Sequence, residues 1–205
     1  ILFGLSFLVF VARDISTNYQ KYLVSQHDAY LVDLLIAIEN VAHHHAVERG
    51  LTAGYLASPS MEKKQKVDEQ RNKADLSFQQ LEQSLDDEFA ARLKIQPVLS
   101  VLFEIEAQKA RIRRDIDANN GQAAFAFYSM LNKVALDTAK SITLKLSDAS
   151  MAERLDIALM YANYKERAGQ IRGNVNGILA SGRPFAQETA ALSGYFDEAN
   201  LFTRY

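Results

Sequence analysis

The chain carries one decapeptide twice, as RGLTAGYLAS at residues 49–58 and as RGNVNGILAS at residues 172–181. The arginine, both glycines, the leucine, the alanine and the final serine stand at the same places in the two copies. A proline follows each copy closely, as Pro59 and as Pro184, and helices usually end just before a proline. The repeat therefore predicts two related helical hairpins, each with one arginine near its tip.

Small residues recur every four positions through both copies, which places them in one row along a helix. Glycine in a helix interior costs about 1 kcal/mol relative to alanine, so these rows need a compensating role. Close approach of two helix backbones supplies that role, because no Cβ stands between them. We therefore expect a tight helix crossing at five glycines: Gly50, Gly54, Gly169, Gly173 and Gly177.

Most of the remaining chain also has the pattern of helices. Short β-branched segments bounded by glycine or proline are missing, so we predict an all-α fold, an elongated up-down bundle of about six helices. The predicted helices run to residue 57, then over 60–84, 87–118 with Pro97 at a kink or at the start of the main body, 122–146, 150–181 and from 184 onward. Apolar residues at three- and four-residue steps mark the buried face of the first helix: Leu31, Leu34, Leu35, Ile38, Val41 and Ala42.

The composition excludes several kinds of site. Hydrophobic residues fill 48% of the 205 positions and the formal net charge is −2, so no strong field would attract nucleic acid. Cysteine is absent, which excludes disulfides and thiolate chemistry. Three consecutive histidines, 43–45, would point about 100° apart on a helix and could not share a metal. We expect no metal, no cofactor and no enzymatic activity in this segment.

The first twelve residues, ILFGLSFLVFVA, are uncharged and precede Arg13. Crossing a bilayer takes roughly 20 apolar residues, so this stretch is too short to do so alone. We expect residues 1–13 to be the end of a transmembrane helix, and residues 14–205 to form a helical domain that is followed in the natural protein by a second membrane span. A buried helix and a signal-peptide core are the alternatives for the first stretch.

Arg49 and Arg172 each stand one position before one of these five glycines, which we call the ridge glycines. Both arginines would therefore flank the predicted crossing. An arginine between packed helices needs a partner. That partner could be Glu48 or Glu166, or a small planar oxyanion held by two guanidinium forks, and the two interpretations are compatible. Further polar groups within about a turn could complete an anion site: His45, Thr52 and Asn176. A second arginine-rich run, residues 111–114, is followed by aspartates and predicts a solvated face.

The sequence around the two copies is more extensive than the decapeptide. VERGLTAGYL at residues 47–56, followed by Gln70-Arg71 and Asp75, resembles the first half of the NIT domain, the nitrate- and nitrite-sensing domain of bacterial receptors. KERAGQIRGNVNG at residues 165–177 resembles its second half, and the resemblance extends over about 31–201. Ile171 departs from the family, which more often has glutamate before the arginine. Arg71 and Arg167 also fall in these segments, as structural or supporting residues.

The resemblance implies an all-α sensor module found in histidine kinases, chemoreceptors, cyclases and antiterminators. It implies nitrate or nitrite as the ligand, held by Arg49 and Arg172. We expect an extracytoplasmic sensor of a bacterial inner-membrane receptor, in the periplasm or outside the cell, which forms a parallel homodimer. The alternatives are a ligand-free helical scaffold for dimerisation, with the arginines in structural salt bridges, and a soluble regulator.

Overall fold

The computed structural model describes residues 2–181 together with 193 and 194, and it describes side-chain surroundings from residue 13 to 176. Within these residues the chain is helical without strands, which confirms the predicted all-α bundle. The helix predicted from Pro184 onward lies outside the described residues. The elements are α1 (Leu2–Ala57), α2 (Met61–Gln83), α3 (Asp87–Leu93), α4 (Gln96–Glu106), α5 (Lys109–Asp117), α6 (Ala124–Thr143) and α7 (Ala149–Ser181).

The region predicted as one helix over 87–118 is divided into α3, α4 and α5. Lys94 ends α3 with a φ of 55°, in the left-handed region that a helix cannot continue through. Pro97 stands in the first turn of α4, where its missing N–H breaks no helical hydrogen bond. These two residues therefore separate α3 from α4 near the start of the helix that was predicted over 87–118.

The directions of α1, α6 and α7 follow from their contacts. The start of α1's packed segment lies beside the turn after α6, since Asp28 accepts a hydrogen bond from the backbone N–H of Ser147, while Glu48 meets Tyr128 further along both helices. The helix α6 is therefore antiparallel to α1. It is also antiparallel to α7, because Lys140 pairs with Asp156 and Asn132 with Glu166. It follows that α1 and α7 run in the same direction.

The hydrophobic core lies between α1, α2, α4 and α6. The six apolar residues predicted on the inner face of α1 are all buried, because the helical period turns them toward the same neighbours. Buried leucines and isoleucines from the other helices pack against them: Leu81, Leu99, Leu102, Leu131 and Ile142.

The helix α1 begins well before the packed part of the bundle. Side chains from 13 to 26 are exposed, and burial starts near Asp28. The 26 residues from 2 to 27 add about 39 Å of helix at that end. Within the part of the chain that the structure describes, no helix combines the length and the apolar character needed to cross a membrane.

Candidate functional site

A cleft of about 310 Å³ opens between α1, α6 and α7, and both repeat arginines line it. Arg49 reaches it from α1 and Arg172 from α7, while Asn132 contributes from α6. We call this space the α1–α7 cleft. Its remaining polar lining comes from Glu39, His43, Lys165 and Glu166.

Arg49 is held at the inner wall of the cleft, with only 2% of its surface exposed. Its two terminal nitrogens donate to the two carboxylate oxygens of Glu166, with 3.1 Å between Nη2 and Oε2. Nη1 also donates to Ser129 Oγ at 3.1 Å, and the guanidinium lies 5.2 Å from the centre of the Phe125 ring. Arg49 is therefore buried with its charge compensated by a carboxylate on α7.

Glu166 collects further donors around the same carboxylate. Asn132 Nδ2 donates to Oε2 at 3.0 Å, and Gln170 Nε2 donates to Oε1 at 2.7 Å. Glu166 is 8% exposed and Asn132 is 1% exposed, so this is an interior cluster. Four N–H donors thus converge on one planar, negatively charged group.

Arg172 differs from Arg49 in its surroundings, because its side chain is exposed at the cleft. Among the described residues, no carboxylate lies within ion-pair distance of it. The nearby Lys165 pairs with Glu39 at 2.6 Å. Three cationic and two anionic side chains therefore line the cleft, which leaves one net positive charge when His43 is neutral.

The other three residues predicted for an anion site lie away from the cleft lining. Thr52 is 1% exposed, and its Oγ1 has no hydrogen-bond partner among the described residues. Asn176 is exposed on α7. His45 is completely buried, with Nδ1 at 2.7 Å from the carbonyl oxygen of Val41 and Nε2 at 3.3 Å from Glu106 Oε2.

The three consecutive histidines take three different directions. His43 lines the cleft, His44 lies beside Gln70 on α2, and His45 faces Glu106. Across the described residues, no group of three or more histidine, aspartate or glutamate side chains is arranged to hold a metal ion.

The ridge glycines differ in how closely other atoms approach them. A Cβ added at Gly169 would lie 3.2 Å from Arg49 Nη2, and one at Gly173 would lie 2.7 Å from Phe125 Cε2. A Cβ at Gly50 or Gly54 would meet no described atom within 4 Å. The side-chain surroundings of position 177 lie outside the described part. Space is scarce beside the two α7 glycines, next to the residues that hold Arg49.

A second buried ion cluster surrounds Glu48, the residue before Arg49 on α1. Glu48 is fully buried and accepts two hydrogen bonds of 2.8 Å from Arg113, and a third of 2.5 Å from Tyr128. Burial and the Glu48 charge raise the pKa of Tyr128 above its usual range, so its hydroxyl stays protonated and donates. Burial lowers the pKa of Arg113, but the hydrogen bonds and charges of Glu48 and Asp75 outweigh burial and raise it.

This cluster corrects one sequence interpretation. The run 111–114 was expected to be a solvated face, and that is wrong for Arg113, which points inward toward α1 and α2. Sequence reasoning also missed Asn132 and Ser129 as neighbours of the arginine pair. Asn132 follows Leu131 within the apolar face of α6, and a polar residue at a buried position was the available signal.

Comparison with known proteins gives one result. The family model described as nitrate and nitrite sensing matches residues 40–205, which include both arginines and every residue of the cleft lining except Glu39. No curated protein and no solved structure matches the chain significantly. The family match covers far more than half of the sequence and agrees with the all-α architecture. This chain belongs to the NIT family of nitrate- and nitrite-sensing domains.

Proposed function

We propose that this sensor domain binds nitrate or nitrite in the α1–α7 cleft, between Arg49 and Arg172. The observation that carries the proposal is that one cleft is lined by both arginines, although 123 residues separate them in the sequence. A guanidinium presents parallel N–H donors that match a planar oxyanion, so two of them can bind one nitrate from two sides.

The charge of the cleft supports a monovalent ligand. The cleft has one net positive charge, which a single nitrate or nitrite would neutralise. A divalent anion would instead leave a negative charge among partly desolvated groups, which is unfavourable. The exposed Arg172 gives the anion a first contact, and the buried Arg49 lies deeper in the same cleft.

The proposed signal is a change in how α1 and α7 are held together. A ligand shifts a conformational equilibrium only if it binds the two arrangements with different affinity. An anion shared between Arg49 and Arg172 contacts both helices, so its affinity depends on their relative position. We propose that the receptor is anchored in the bacterial inner membrane through residues 1–13, senses outside the cytoplasm and forms a parallel homodimer, which sedimentation analysis can test.

Isothermal titration calorimetry with nitrate, nitrite and chloride tests the ligand. We expect nitrate or nitrite to bind, and Arg49→Ala and Arg172→Ala each to weaken binding about tenfold or more, since one hydrogen bond to a charged group contributes about 1.5–3 kcal/mol. Arg154→Ala is the matched control, because Arg154 is also exposed on α7 but lies outside the cleft lining. Equal weakening in all three variants would reject a specific site.

The rival function is a helical scaffold for dimerisation without a ligand. The observation that favours it is the ion pair between Arg49 and Glu166, which already compensates the buried charge. In that case no anion produces heat, and Arg49→Ala destabilises the fold while Arg172→Ala leaves it unchanged. The titrations separate the two functions, and circular dichroism of the same variants shows whether each variant is folded.

A further inference from the structure

We infer that the Glu166 carboxylate is an internal competitor of the anion, which must displace it to reach Arg49. The inference rests on the proposed function, because it concerns the same cleft and the same ligand. It assigns to Glu166 the role of setting how tightly the domain holds its ligand.

The donor set around Glu166 fits a planar oxyanion in general. Oε1 accepts from Arg49 Nη1 and from Gln170 Nε2, and Oε2 accepts from Arg49 Nη2 and from Asn132 Nδ2. A carboxylate, a nitrite and one edge of a nitrate all present two oxygens on one planar centre. The hydrogen bonds that now hold Glu166 are therefore the kind that would hold the ligand.

The Glu166 carboxylate occupies the paired donors at the end of this guanidinium. Both terminal nitrogens of Arg49 donate to Glu166, and Nη1 donates to Ser129 as well. With Arg49 2% exposed and Glu166 8% exposed, little of either group remains open to a further partner. An anion can take paired hydrogen bonds from both terminal nitrogens of this guanidinium only by replacing the carboxylate.

Arg172 provides the place from which replacement can begin. It lines the cleft with its side chain exposed, whereas Arg49 lies at the inner wall. An anion bound first at Arg172 is near Arg49 without any prior loss of the internal pair. Replacement then turns an Arg49–Glu166 contact into one in which the anion bridges Arg49 and Arg172.

This exchange moves the link between α1 and α7. The internal pair joins α1 to position 166 of α7, and the bridged anion joins it to position 172. Six residues correspond to about 9 Å along a helix. The occupied and empty states therefore fasten the two parallel helices at different heights, which supplies the difference in contacts that ligand-driven switching requires.

The test measures the nitrate dissociation constant of the intact domain by calorimetry. Glu166→Gln removes the competing charge with little change of shape, so we expect nitrate to bind about tenfold more tightly or better. Glu166→Asp keeps the charge but withdraws it by one methylene, and we expect an intermediate gain. Glu153→Gln, at an exposed position near the start of α7 and outside the cleft lining, is the control and should bind like the wild type.

The outcomes separate this inference from the proposed function. If the wild type binds nitrate and neither Glu166 variant binds more tightly, the competitor role is rejected while the site stands. If only the variants bind, Glu166 competes, and the wild type is not a nitrate sensor. If no form binds, both proposals fail. Should Glu166→Gln lose its helical circular dichroism, Glu166→Asp decides.

Discussion

Single side chains in this bundle show how a buried charge is tolerated. Glu48 is inaccessible to solvent, yet Arg113 and Tyr128 together donate three hydrogen bonds to its carboxylate. Removing one partner of such a pair is costly, because the other charge is left buried without compensation. Asp75 compensates Arg113 only in part, since half of its own side chain is exposed.

The Glu48 cluster gives a prediction about stability. Glu48→Ala should lower the free energy of unfolding by about 3 kcal/mol, because it leaves Arg113 without its buried partner. Glu62→Ala is the matched control: Glu62 pairs with Lys66 but is 77% exposed, so its loss should leave the free energy of unfolding almost unchanged. Urea denaturation measures both, and similar losses would contradict the importance of the buried pair.

Among the elements, α1 and α7 both carry ridge glycines but differ in the space beside them. At Gly50 an added methyl group has room, whereas at Gly173 it would press on the Phe125 ring, which also lies against the Arg49 guanidinium. Helix propensity favours alanine at both positions by about the same amount. The packing around each glycine therefore decides whether a substitution by alanine stabilises or destabilises the fold.

Gly50→Ala and Gly173→Ala form a matched pair of substitutions. We expect Gly50→Ala to raise the free energy of unfolding by about 0.5–1 kcal/mol through helix propensity. Gly173→Ala should lower it, because overpacking typically costs about 1–3 kcal/mol and exceeds that gain. Urea denaturation of both variants provides the comparison. A stabilised Gly173→Ala would mean that the Phe125 ring moves aside freely.

The start of α7 is fixed by a side chain from α1. Both carboxylate oxygens of Asp28 accept backbone hydrogen bonds of 2.9 Å, one from Ser147 and one from Asp148. Burial raises the pKa of Asp28, but these bonds and His27 outweigh burial and hold the pKa below its usual value. The carboxylate therefore stays ionised and ties the α6–α7 turn to α1.

Replacing Asp28 should loosen that turn. We expect Asp28→Asn to lower the free energy of unfolding by about 1–3 kcal/mol, since a charged acceptor of two hydrogen bonds is lost. Hydrogen exchange should quicken at the amides of Ser147 and Asp148 before it changes elsewhere. Asp14→Asn, on the exposed part of α1, is the control and should alter neither measurement. Unchanged exchange at those two amides would show that the turn is held by other contacts.

At the scale of the molecule, several carboxylates between helices share one property. Burial raises the pKa of each, but partner cations or backbone donors outweigh burial and lower the pKa below the ordinary value. They are Asp28, Asp75, Glu106 and Asp117. A carboxyl whose pKa is lower in the folded state contributes its full stability above the unfolded-state pKa and loses it as the pH falls through the folded-state pKa.

The bundle should therefore unfold in acid. We expect a shallow decline of the free energy of unfolding below about pH 6.5, because burial lowers the pKa of His44 and the unfolded chain takes up that proton first. A steep decline should follow below about pH 4 as these four carboxylates take up protons. Urea titrations at a series of pH values measure the profile. A free energy that stays level down to pH 3 would mean that the interhelical carboxylates contribute little.

Most of the architecture could be predicted from the sequence, because helical periodicity and turn residues are local signals. The buried stripe of α1 followed from apolar spacing alone, and the end of α1 followed from Pro59. Pro97 indicated a kink or a helix start near the beginning of α4, whereas the left-handed residue Lys94 was not predictable, because lysine has no preference for that conformation. The inward direction of Arg113 depends on how α5 is rotated against α1, which no local pattern encodes.

The residues of the cleft could likewise be predicted only in part from the sequence. The repeat indicated two equivalent arginines, and Glu166 was a candidate partner for one of them. The contacts of Asn132 and Ser129 with this pair arise only when α6 packs between α1 and α7. Long-range neighbours of that kind need the assembled bundle, because their identity is set by the register of three helices.

The helix α1 runs without interruption from the exposed residues 13–26 to the cleft. Between Arg13 and Arg49 the sequence of α1 has neither proline nor glycine, so the shaft lacks a residue at which it would readily bend. Those 36 residues extend about 54 Å. A rotation or axial displacement of α1 at the cleft would therefore reach Arg13 almost undiminished. The stiffness of the helix, rather than any amplification, would determine how far the effect of a bound anion extends.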